Sequence, residues 1–452
     1  MLLIFVIISV IIDYRSRLKI LNIKKKKSMK KTILLLVLMV TSFAISQEAI
    51  VTKIKINGLK RTKESFLKRL VKVKPGSVYD SLKVATDIDR LNRLAGIANA
   101  TSTIVKNSET DYTLTYTIVE NFTIIPGVRV SQANNDEDVA FRVSAFEFNL
   151  LGRGQIAGGF YSRDVFDSFG VFWEAPFLFT NKFGLGINYQ DNVTFEPIFT
   201  DSKETSEDFR FQNRAFQASL IYEFNFHNRA ELGFSIGSQD YSVQPDQLDL
   251  GLPDQLEANS VGIISEYEYN DLDIEYQYVS GFRNQTNAQY IFNSGSEEFL
   301  EDAFVGTNDL EYFYRIGKRG NLANRLRLSY TSNRDSPFAP FALDNQINIR
   351  GVGNTVDRGT ASVVINTEYR HTLLEKGWFV IQSNVFIDAG SWSTPGNDIN
   401  QLFDGSTIRV NPGLGLRFIH KRIFNAVIRL DYGFGLGENE TNGLVFGIGQ
   451  FF

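Results

Sequence analysis

The chain has 452 residues, no cysteine and a formal net charge of −4, and aromatic residues reach 13%, with 38 Phe against 10 Pro. Without cysteine it can form neither a disulfide framework nor a lipid-modified N-terminal cysteine. The mean hydropathy of −0.13 excludes a membrane protein built of several apolar helices, but it is compatible with a membrane β-barrel, whose strands are half polar.

Two apolar segments begin the chain. Leu2 to Ile12 is too short to span a bilayer and leads into the basic run Lys24 to Lys27. A second start follows at Met29, where two lysines, an apolar stretch and the sequence Ala44-Ile45-Ser46 form the pattern of a secretory signal peptide. We expect residues 1–46 to be an N-terminal extension plus this signal peptide, with Met29 as the true start. A membrane-anchored N-terminus is the alternative.

The charge of the mature chain bears on its partners. Residues 1–46 hold nine Lys and Arg and one Asp, so removing their net +8 from the formal −4 leaves −12. A chain this acidic repels a phosphate backbone, and we expect no nucleic-acid partner.

Residues 47–122 have the pattern of a small α+β module. Ile50 to Ile56 alternates with polar residues up to an Asn-Gly turn, which predicts a strand. Helices are expected from Thr62 to Val71 and from about Asp80 to Leu94, and two strands follow. The apolar stripe of the second helix consists of Leu82, Ala85, Ile88, Leu91 and Leu94. The order strand–helix–helix–strand–strand resembles a POTRA domain, and a generic α+β module is the alternative.

From Phe122 onward apolar and polar residues alternate, with no convincing helix. The alternating segments run to about 10 residues or more, the length that a tilted strand needs to cross a bilayer. About 16 such segments can be counted, an even number as in bacterial barrels. We therefore expect residues 123–452 to form an all-β transmembrane barrel of about 16 antiparallel strands, preceded by a small α+β POTRA-like periplasmic domain.

Short and long connections alternate strictly along this region. The short ones are Phe226 to Arg229, Asn270 to Asp273, Gly317 to Gly320 and His420 to Arg422. The long ones are Val193 to Asp208, Ser242 to Asn259, Asn293 to Ala303, Asn333 to Arg358 and Trp392 to Ser406. With the N-terminal module in the periplasm, every long connection falls outside the cell, which is the asymmetry typical of outer-membrane barrels.

The long segment Asn333 to Arg358 contains the stretch Asn348-Ile349-Arg350-Gly351-Val352. The two strands that follow it carry Glu368 and Asp388 on their polar face, because side chains alternate across a strand. The same face bears Asn366, Arg370, Gln382 and Asn384. If this face lines the barrel interior, Arg350 folded inward meets both carboxylates in a shielded but partly solvated contact. The alternative is a solvated loop arginine.

These features together resemble the BamA/TamA superfamily of outer-membrane protein assembly proteins, of the bacterial surface antigen type, in a short form with one POTRA-like domain. Asn149 to Gln155 looks like the N-x-x-G-x-G turn of that family, and Phe386 to Gly390 looks like its F-x-D-x-G strand. The chain departs from the family in having room for one such domain only, and in having Val352 where an aromatic residue is commoner.

The resemblance implies a lumenal contact in which Arg350 meets Glu368 and Asp388, with Gly351 and Gly390 as parts of the two motifs. It also implies a protein of the bacterial outer membrane with its N-terminal domain in the periplasm. The implied partners are the lipid bilayer, unfolded or partly folded outer-membrane or secreted clients, and periplasmic accessory proteins that bind the POTRA-like domain. The implied function is to assist insertion or translocation of such clients.

A seam between the first and last strands is the candidate place of action. The first strand contains Pro126, which donates no ladder hydrogen bond, and Gly127, while the last strand contains Gly447 and Gly449. A client strand could pair at the edge that an open seam exposes. Alternatively, Pro126 marks only the domain junction. The last strand, expected from Leu444 to Phe452, places Phe452 outward, and this terminal aromatic residue resembles the recognition signal of barrels delivered to their insertion machinery.

No pattern in the sequence predicts catalysis, a cofactor or a metal. Ser235 lies in a G-x-S-x-G match, but it falls in mid-strand, whereas a nucleophile elbow needs a strand-to-helix turn. The histidines have no metal spacing, and the acids of the Ser242 to Asn259 loop are expected to be solvated although they could hold a cation. We expect a protein that is not an enzyme. The alternatives are a passive pore or scaffold of a larger envelope complex and an outer-membrane enzyme, and a passive pore needs no inward-folded loop.

Overall fold

The computed structural model describes residues 49–132, 139–163, 165–199, 206–244, 253–294, 299–353, 357–437 and 441–452. The signal peptide, its Met29 start and the alternative N-terminal anchor lie outside these residues. Within the described ranges no helix combines the length and the apolar composition needed to cross a membrane. The described chain forms a small N-terminal domain followed by a closed β-barrel.

The N-terminal domain consists of β1 (Ile50–Asn57), α1 (Glu64–Leu70), β2 (Ser77–Val78), α2 (Ser81–Asn92), β3 (Ile97–Lys106) and β4 (Asp111–Glu120). Its sheet has the order β2-β1-β4-β3, with β1 parallel to β4. Leu67 of α1 and Leu91 of α2 pack with Leu114 and Tyr116 of β4 in one core. The predicted element order is confirmed, with the two-residue strand β2 as an unpredicted addition.

The buried face of α2 agrees only in part with the predicted apolar stripe, since Leu91 is buried and Ile88 and Leu94 pack against the core. Leu82 is 78% exposed. The helix residues that are buried are Val84, Asp87, Arg90 and Leu91. The Asp87 carboxylate is buried because it accepts the backbone N–H groups of Lys72 and Val73, at 2.6 and 3.1 Å, and the hydroxyl of Tyr116. A buried polar group with partners can occupy an inner helix position, so the prediction, which counted only apolar residues, was wrong for Leu82 and Ala85 and missed Asp87.

The barrel region contains long strands and three short ones. The long strands are β5 (Ile124–Gln132), β6 (Val139–Leu150), β7 (Gln155–Arg163), β8 (Asp167–Ala175), β9 (Phe183–Phe199), β10 (Ser206–Asn225), β11 (Asn228–Val243), β12 (Gln255–Asn270), β14 (Tyr278–Ser294), β15 (Ala303–Ile316), β16 (Gly320–Thr331), β19 (Ala361–Lys376), β20 (Phe379–Ser393), β21 (Arg409–His420), β22 (Val427–Phe434) and β23 (Asn442–Ile448). The short strands are β13 (Asp273–Glu275), β17 (Phe341–Leu343) and β18 (Asp357–Gly359), and a 3₁₀ helix spans Ile399–Phe403.

The sixteen long strands form one closed wall in chain order, in which β23 lies beside β5. Sequential strands pair antiparallel, and their side chains alternate between the two faces. On β21 and β22, Leu414 is 60% and Tyr432 46% exposed on the outside, whereas Arg417 and Asp431 are fully buried on the inside. The predicted barrel of about 16 strands is confirmed.

The strict alternation of connection lengths is wrong in the first half of the barrel. β7 and β8 are joined by residues 164–166 only, on the side predicted to carry long loops, while β8 and β9 are joined on the other side by residues 176–182. The predicted loop from Val193 to Asp208 is mostly strand, because β9 continues to Phe199 and β10 begins at Ser206. The ladder of β9 and β10 begins with the pair Phe199 and Ser206, so the polar residues of this segment were a poor marker of a loop.

The last strand ends earlier than predicted, and the residues after it turn inward. β23 stops at Ile448, and Gly449 has a φ of +89°, a left-handed conformation that glycine adopts readily. Phe452 packs inside the barrel at 6.3 Å from the ring of Phe313. The prediction that Phe452 faces outward was therefore wrong, because the left-handed turn at Gly449 breaks the alternation.

The N-terminal domain docks under one end of the barrel. Asn149, in the turn between β6 and β7, donates to Thr62 at 2.9 Å, and Gly152 in the same turn accepts the N–H of Lys63 at 2.8 Å. Arg93, after α2, donates to the carbonyls of residues 226, 270 and 272 at 3.2, 2.9 and 2.9 Å. The domain is thus fixed to turns on two sides of the barrel rim.

Candidate functional site

The segment between β16 and β19 folds into the barrel. Its two ends pair as the short hairpin of β17 and β18, and residues 344–353 between them reach inward. The carboxylate of Asp344 accepts the N–H groups of Gln346 and Ile347 at 2.6 and 2.9 Å, which turns the chain toward the lumen. Arg325 then donates to the carbonyl of Ile347, and Asn366 donates to that of Asn348 at 2.8 Å. Wall side chains therefore hold the loop backbone just before Arg350.

Arg350 lies between the two predicted carboxylates. Its Nε and Nη2 donate to the two oxygens of Asp388 at 2.8 and 3.0 Å, and its Nη1 donates to Glu368 at 2.6 Å. The backbone N–H of Arg350 also donates to Asp388, at 3.0 Å. The planar guanidinium suits this arrangement because it presents two parallel donors to one carboxylate and a third to another.

The arginine site is drier than predicted. Arg350, Glu368 and Asp388 have no exposed surface, so the expectation of a partly solvated contact was wrong. The reason is aromatic cover: the guanidinium carbon lies 3.6 Å from the ring centre of Phe386 and 4.3 Å from that of Phe451. Water is therefore excluded from both faces of the ion pair, which strengthens its electrostatic interactions.

Gly351 fits this site because it has no side chain. Its φ is +88°, and a Cβ atom there would lie 2.5 Å from the carbonyl oxygen of Gly433 on β22. The same atom built on Gly433 would lie 2.1 Å from the carbonyl oxygen of Arg350, and Gly443 on β23 also faces Gly351. The loop tip thus packs backbone to backbone against the last two strands.

A wider charged network surrounds the pair and was not assigned from the sequence. Glu368 also accepts from Arg370 and, at 3.2 Å, from Arg417. Asp431 accepts from Arg417 at 2.6 Å and lies 3.7 Å from Arg350. These residues were visible on polar strand faces, but contacts between strands depend on the barrel's closure and register, which no local pattern gives.

A second anchor holds the outer part of the loop. Phe338 is buried at 5.3 Å from the ring of Phe209 and 4.1 Å from that of Tyr241, both on the inner wall. Phe338 was not among the predicted site residues. An aromatic residue within a polar loop was the only signal for it.

The other residues of the predicted site and seam have separate environments. Gly390 is buried, and a Cβ there would lie 2.8 Å from the ring of Trp392, so it accommodates a tryptophan and not Arg350. Pro126 lies within β5 opposite Ala145, and Gly127 accommodates Ser144. Gly447 leaves room for the guanidinium of Arg429, and Gly449 begins the inward turn.

The residues considered for chemistry do not form a site. Ser235 lies in the middle of β11 and accepts from Gln289 at 3.1 Å, as a mid-strand residue would. No group of His, Asp and Glu among the described residues has the arrangement of a metal site. Of the acidic loop, Asp246 and Asp249 lie outside the described residues.

Comparison with known proteins agrees with this architecture. Residues 49–121 match the POTRA family, described as surface antigen variable number repeat, and residues 149–452 match the Omp85 superfamily domain. No match was found among curated proteins.

Three solved structures share the fold at low identity. BamA from Haemophilus ducreyi lacking POTRA domains 1–3 is 15% identical, with a TM-score of 0.53 over 88% of this chain and 84% of that one. CdiB from Acinetobacter baumannii is 14% identical, with a TM-score of 0.55 over 89% and 74%. CdiB from Escherichia coli is 12% identical, with a TM-score of 0.59 over 89% and 76%. Since the superfamily domain covers most of the chain and a POTRA domain precedes it, this protein belongs to the Omp85 superfamily.

Proposed function

We propose that this protein inserts or translocates outer-membrane or secreted proteins through a seam between β5 and β23, controlled by the lumenal loop that carries Arg350. Residues 47–122 form the periplasmic domain in this proposal, and residues 123–452 form the barrel. The clients are unfolded or partly folded polypeptides, and periplasmic accessory proteins bind the POTRA domain.

Family membership supplies the coarser part of this function. As an Omp85 protein the chain is a bacterial outer-membrane barrel with a role in protein insertion or translocation. The family consists of transporters and insertases, which confirms that the chain is not an enzyme. The seam and the loop are the parts that we add.

Closure of the barrel is the reason that lateral insertion needs a seam. A closed barrel in lipid pairs all its backbone groups and offers no edge to a client strand. A protein that inserts strands laterally must open one strand pair. The pair of β5 and β23 joins the two ends of the barrel sequence, so no hairpin connection keeps these strands together.

The observation that carries the proposal is the position of the loop tip. Gly351 packs directly on Gly433 of β22 and faces Gly443 of β23, and Arg350 is fixed beside it by three side-chain hydrogen bonds to Asp388 and Glu368. A movement of β23 away from β5 therefore changes the packing of the loop. A passive pore has no need for a buried ion pair at this place.

A disulfide across the seam tests the proposal. The chain has no cysteine, so a panel of cysteine pairs in β5 and β23 can be introduced without background. We expect the oxidised seam variant to insert as a folded barrel and to lose activity, measured as recovery of outer-membrane proteins in cells depleted of the wild type. Reduction should restore that activity.

The matched control is a disulfide at an ordinary strand pair. Leu414 and Tyr432 lie opposite each other on β21 and β22, both facing outward. Cysteines there should crosslink without loss of activity. Full activity of the oxidised seam variant contradicts the proposal and leaves a pore or scaffold function.

A further inference from the structure

The inward segment after β23 consists of Gln450, Phe451 and Phe452, and it lies inside the lumen beside the loop. Its place in the wall is taken by Phe122, which donates to the carbonyl of Arg422 at 2.8 Å and accepts the N–H of Phe424 at 3.0 Å. The wall beside the start of β5 is thus completed by the turn between β21 and β22. The inward segment is therefore not needed to complete the wall.

Each residue of the inward segment contacts a different arginine of the charged network. Arg417 donates to the side chain of Gln450 at 3.3 Å. The guanidinium of Arg350 stacks on the ring of Phe451, and Arg370 donates to the carbonyl of Phe452 at 3.0 Å.

The three arginines share one carboxylate. Arg350, Arg370 and Arg417 all contact Glu368. The loop and the inward segment are therefore held by the same buried group. Displacing either one disturbs the contacts of the other.

We propose that Phe451 is a positioning residue which couples the loop to the last strand, so that the docked loop holds the inward segment in the lumen and the inward segment holds the loop. The guanidinium of Arg350 lies between the ring of Phe386, which belongs to the wall, and the ring of Phe451, which belongs to the chain end of β23. Withdrawal of β23 from the seam pulls Phe451 away and leaves one face of the ion pair open to water.

This coupling concerns the regulation of the proposed seam and rests on that function, but it can be measured without a client. Coupling between two positions is reciprocal, so each side must respond to changes in the other. The loop is reported by Val352→Cys, since Val352 is 2% exposed in the docked loop. The inward segment is reported by Gln450→Cys in a separate protein. Labelling of each thiol by a maleimide is followed in the purified full-length barrel in lipid vesicles.

We expect Phe451→Ala to increase labelling at position 352 by roughly 2- to 30-fold, the range between an exposed and a desolvated cation–π contact. Phe451→Leu, which keeps apolar volume without a ring, should give a smaller increase. Phe446→Ala is the matched control, because Phe446 lies on the outer face of β23 and is 56% exposed. It should leave labelling unchanged.

The reverse arm uses Arg350→Lys, which keeps the charge but loses the planar group that stacks on the ring. Labelling at position 450 should rise. In the double variant Arg350→Lys with Phe451→Ala, the increase in labelling at each reporter should be smaller than the product of the increases in the two single variants. Unchanged labelling at both reporters, or effects that simply multiply, overturns the coupling. Such a result leaves the seam proposal intact. Full activity of the oxidised seam variant, by contrast, refutes the seam proposal and leaves the labelling expected of the Phe451 and Arg350 variants unchanged.

Discussion

Replacement of Arg350 by alanine is the most informative single change in this barrel. It removes three hydrogen bonds that the Arg350 side chain donates, two of them to Asp388 and one to Glu368. Glu368 keeps Arg370 and Arg417 as partners, whereas Asp388 keeps, among the residues that the structure describes, Asn366 and the backbone N–H of residue 350. The free-energy cost therefore falls mainly on Asp388.

The size of this free-energy cost follows from the complete burial of the ion pair between Arg350 and Asp388. Removing one partner of a buried ion pair costs about 3–5 kcal/mol. The loop can undock and let water reach Asp388, so this cost appears as local opening and the barrel stays folded. At about 1.4 kcal/mol for each factor of ten, the population of the undocked loop should rise roughly 10²- to 4 × 10³-fold.

Thiol labelling of Val352→Cys in lipid vesicles measures this opening. Arg350→Ala should raise the labelling rate in proportion to the undocked population, while heat-modifiable mobility on a gel shows that the barrel is still folded. Arg350→Lys should give a smaller rise, because lysine keeps the charge without the forked geometry. The matched control is Arg334→Ala, an arginine of the same loop that donates to the carbonyl of Asn397 and not to the buried carboxylates. Labelling equal to that of Arg334→Ala would refute the reasoning.

Three further changes test other parts of the structure. Gly351→Ala should undock the loop, because the added Cβ would overlap the backbone of Gly433. The control is Gly377→Ala, at a φ of +59° with no atom within 4 Å of its Cβ, which should cost only backbone strain. Labelling of Val352→Cys should be faster in the first variant, and equal labelling contradicts the close contact. Phe338→Ala should reduce the free energy that holds the outer loop in place by up to ~3–5 kcal/mol. Proteolysis of the outer loop should become faster, with little change in labelling at position 352. Unchanged proteolysis would show that Phe338 does not anchor the loop. Burial alone raises the pKa of Glu120, but the N–H groups of residues 60–62 outweigh it and hold that pKa below its ordinary value. Glu120→Gln should therefore destabilise the N-terminal domain in urea unfolding at pH 7. The difference should shrink as the pH falls below the ordinary pKa of glutamate, about 4.3, and vanish below the lowered pKa of the folded state; a difference that does not shrink contradicts this assignment.

The wall of the barrel could be predicted because a strand in lipid must alternate. The alternation of Leu414 and Leu416 with Gly415 and Arg417 determines which face meets lipid, whatever the neighbouring strands are. The same parity placed Glu368 and Asp388 on the inner face. The contact of Arg350 with them was predicted from the position of its loop and from a family resemblance.

The parts that could not be predicted depend on contacts distant in sequence. Asp431 approaches Arg350 only because β22 closes against β21 and the loop crosses the lumen. Phe452 turns inward because Gly449 adopts a left-handed φ, and glycine permits this without requiring it. Asp87 is buried in α2 because backbone donors from another segment reach it.

The strand lengths imply that the barrel wall is uneven in height. β10 has 20 residues, whereas β23 has seven. At about 3.3 Å per residue and a tilt near 40°, the two strands rise roughly 50 and 18 Å along the membrane normal. The wall is thus taller than an apolar band of about 25 Å beside β10 and shorter than that band beside β23. Lipids beside β23 are expected to shorten to match the wall, and in the proposed function a bilayer thinned at this place opposes the entry of polar strand ends less than one of full thickness.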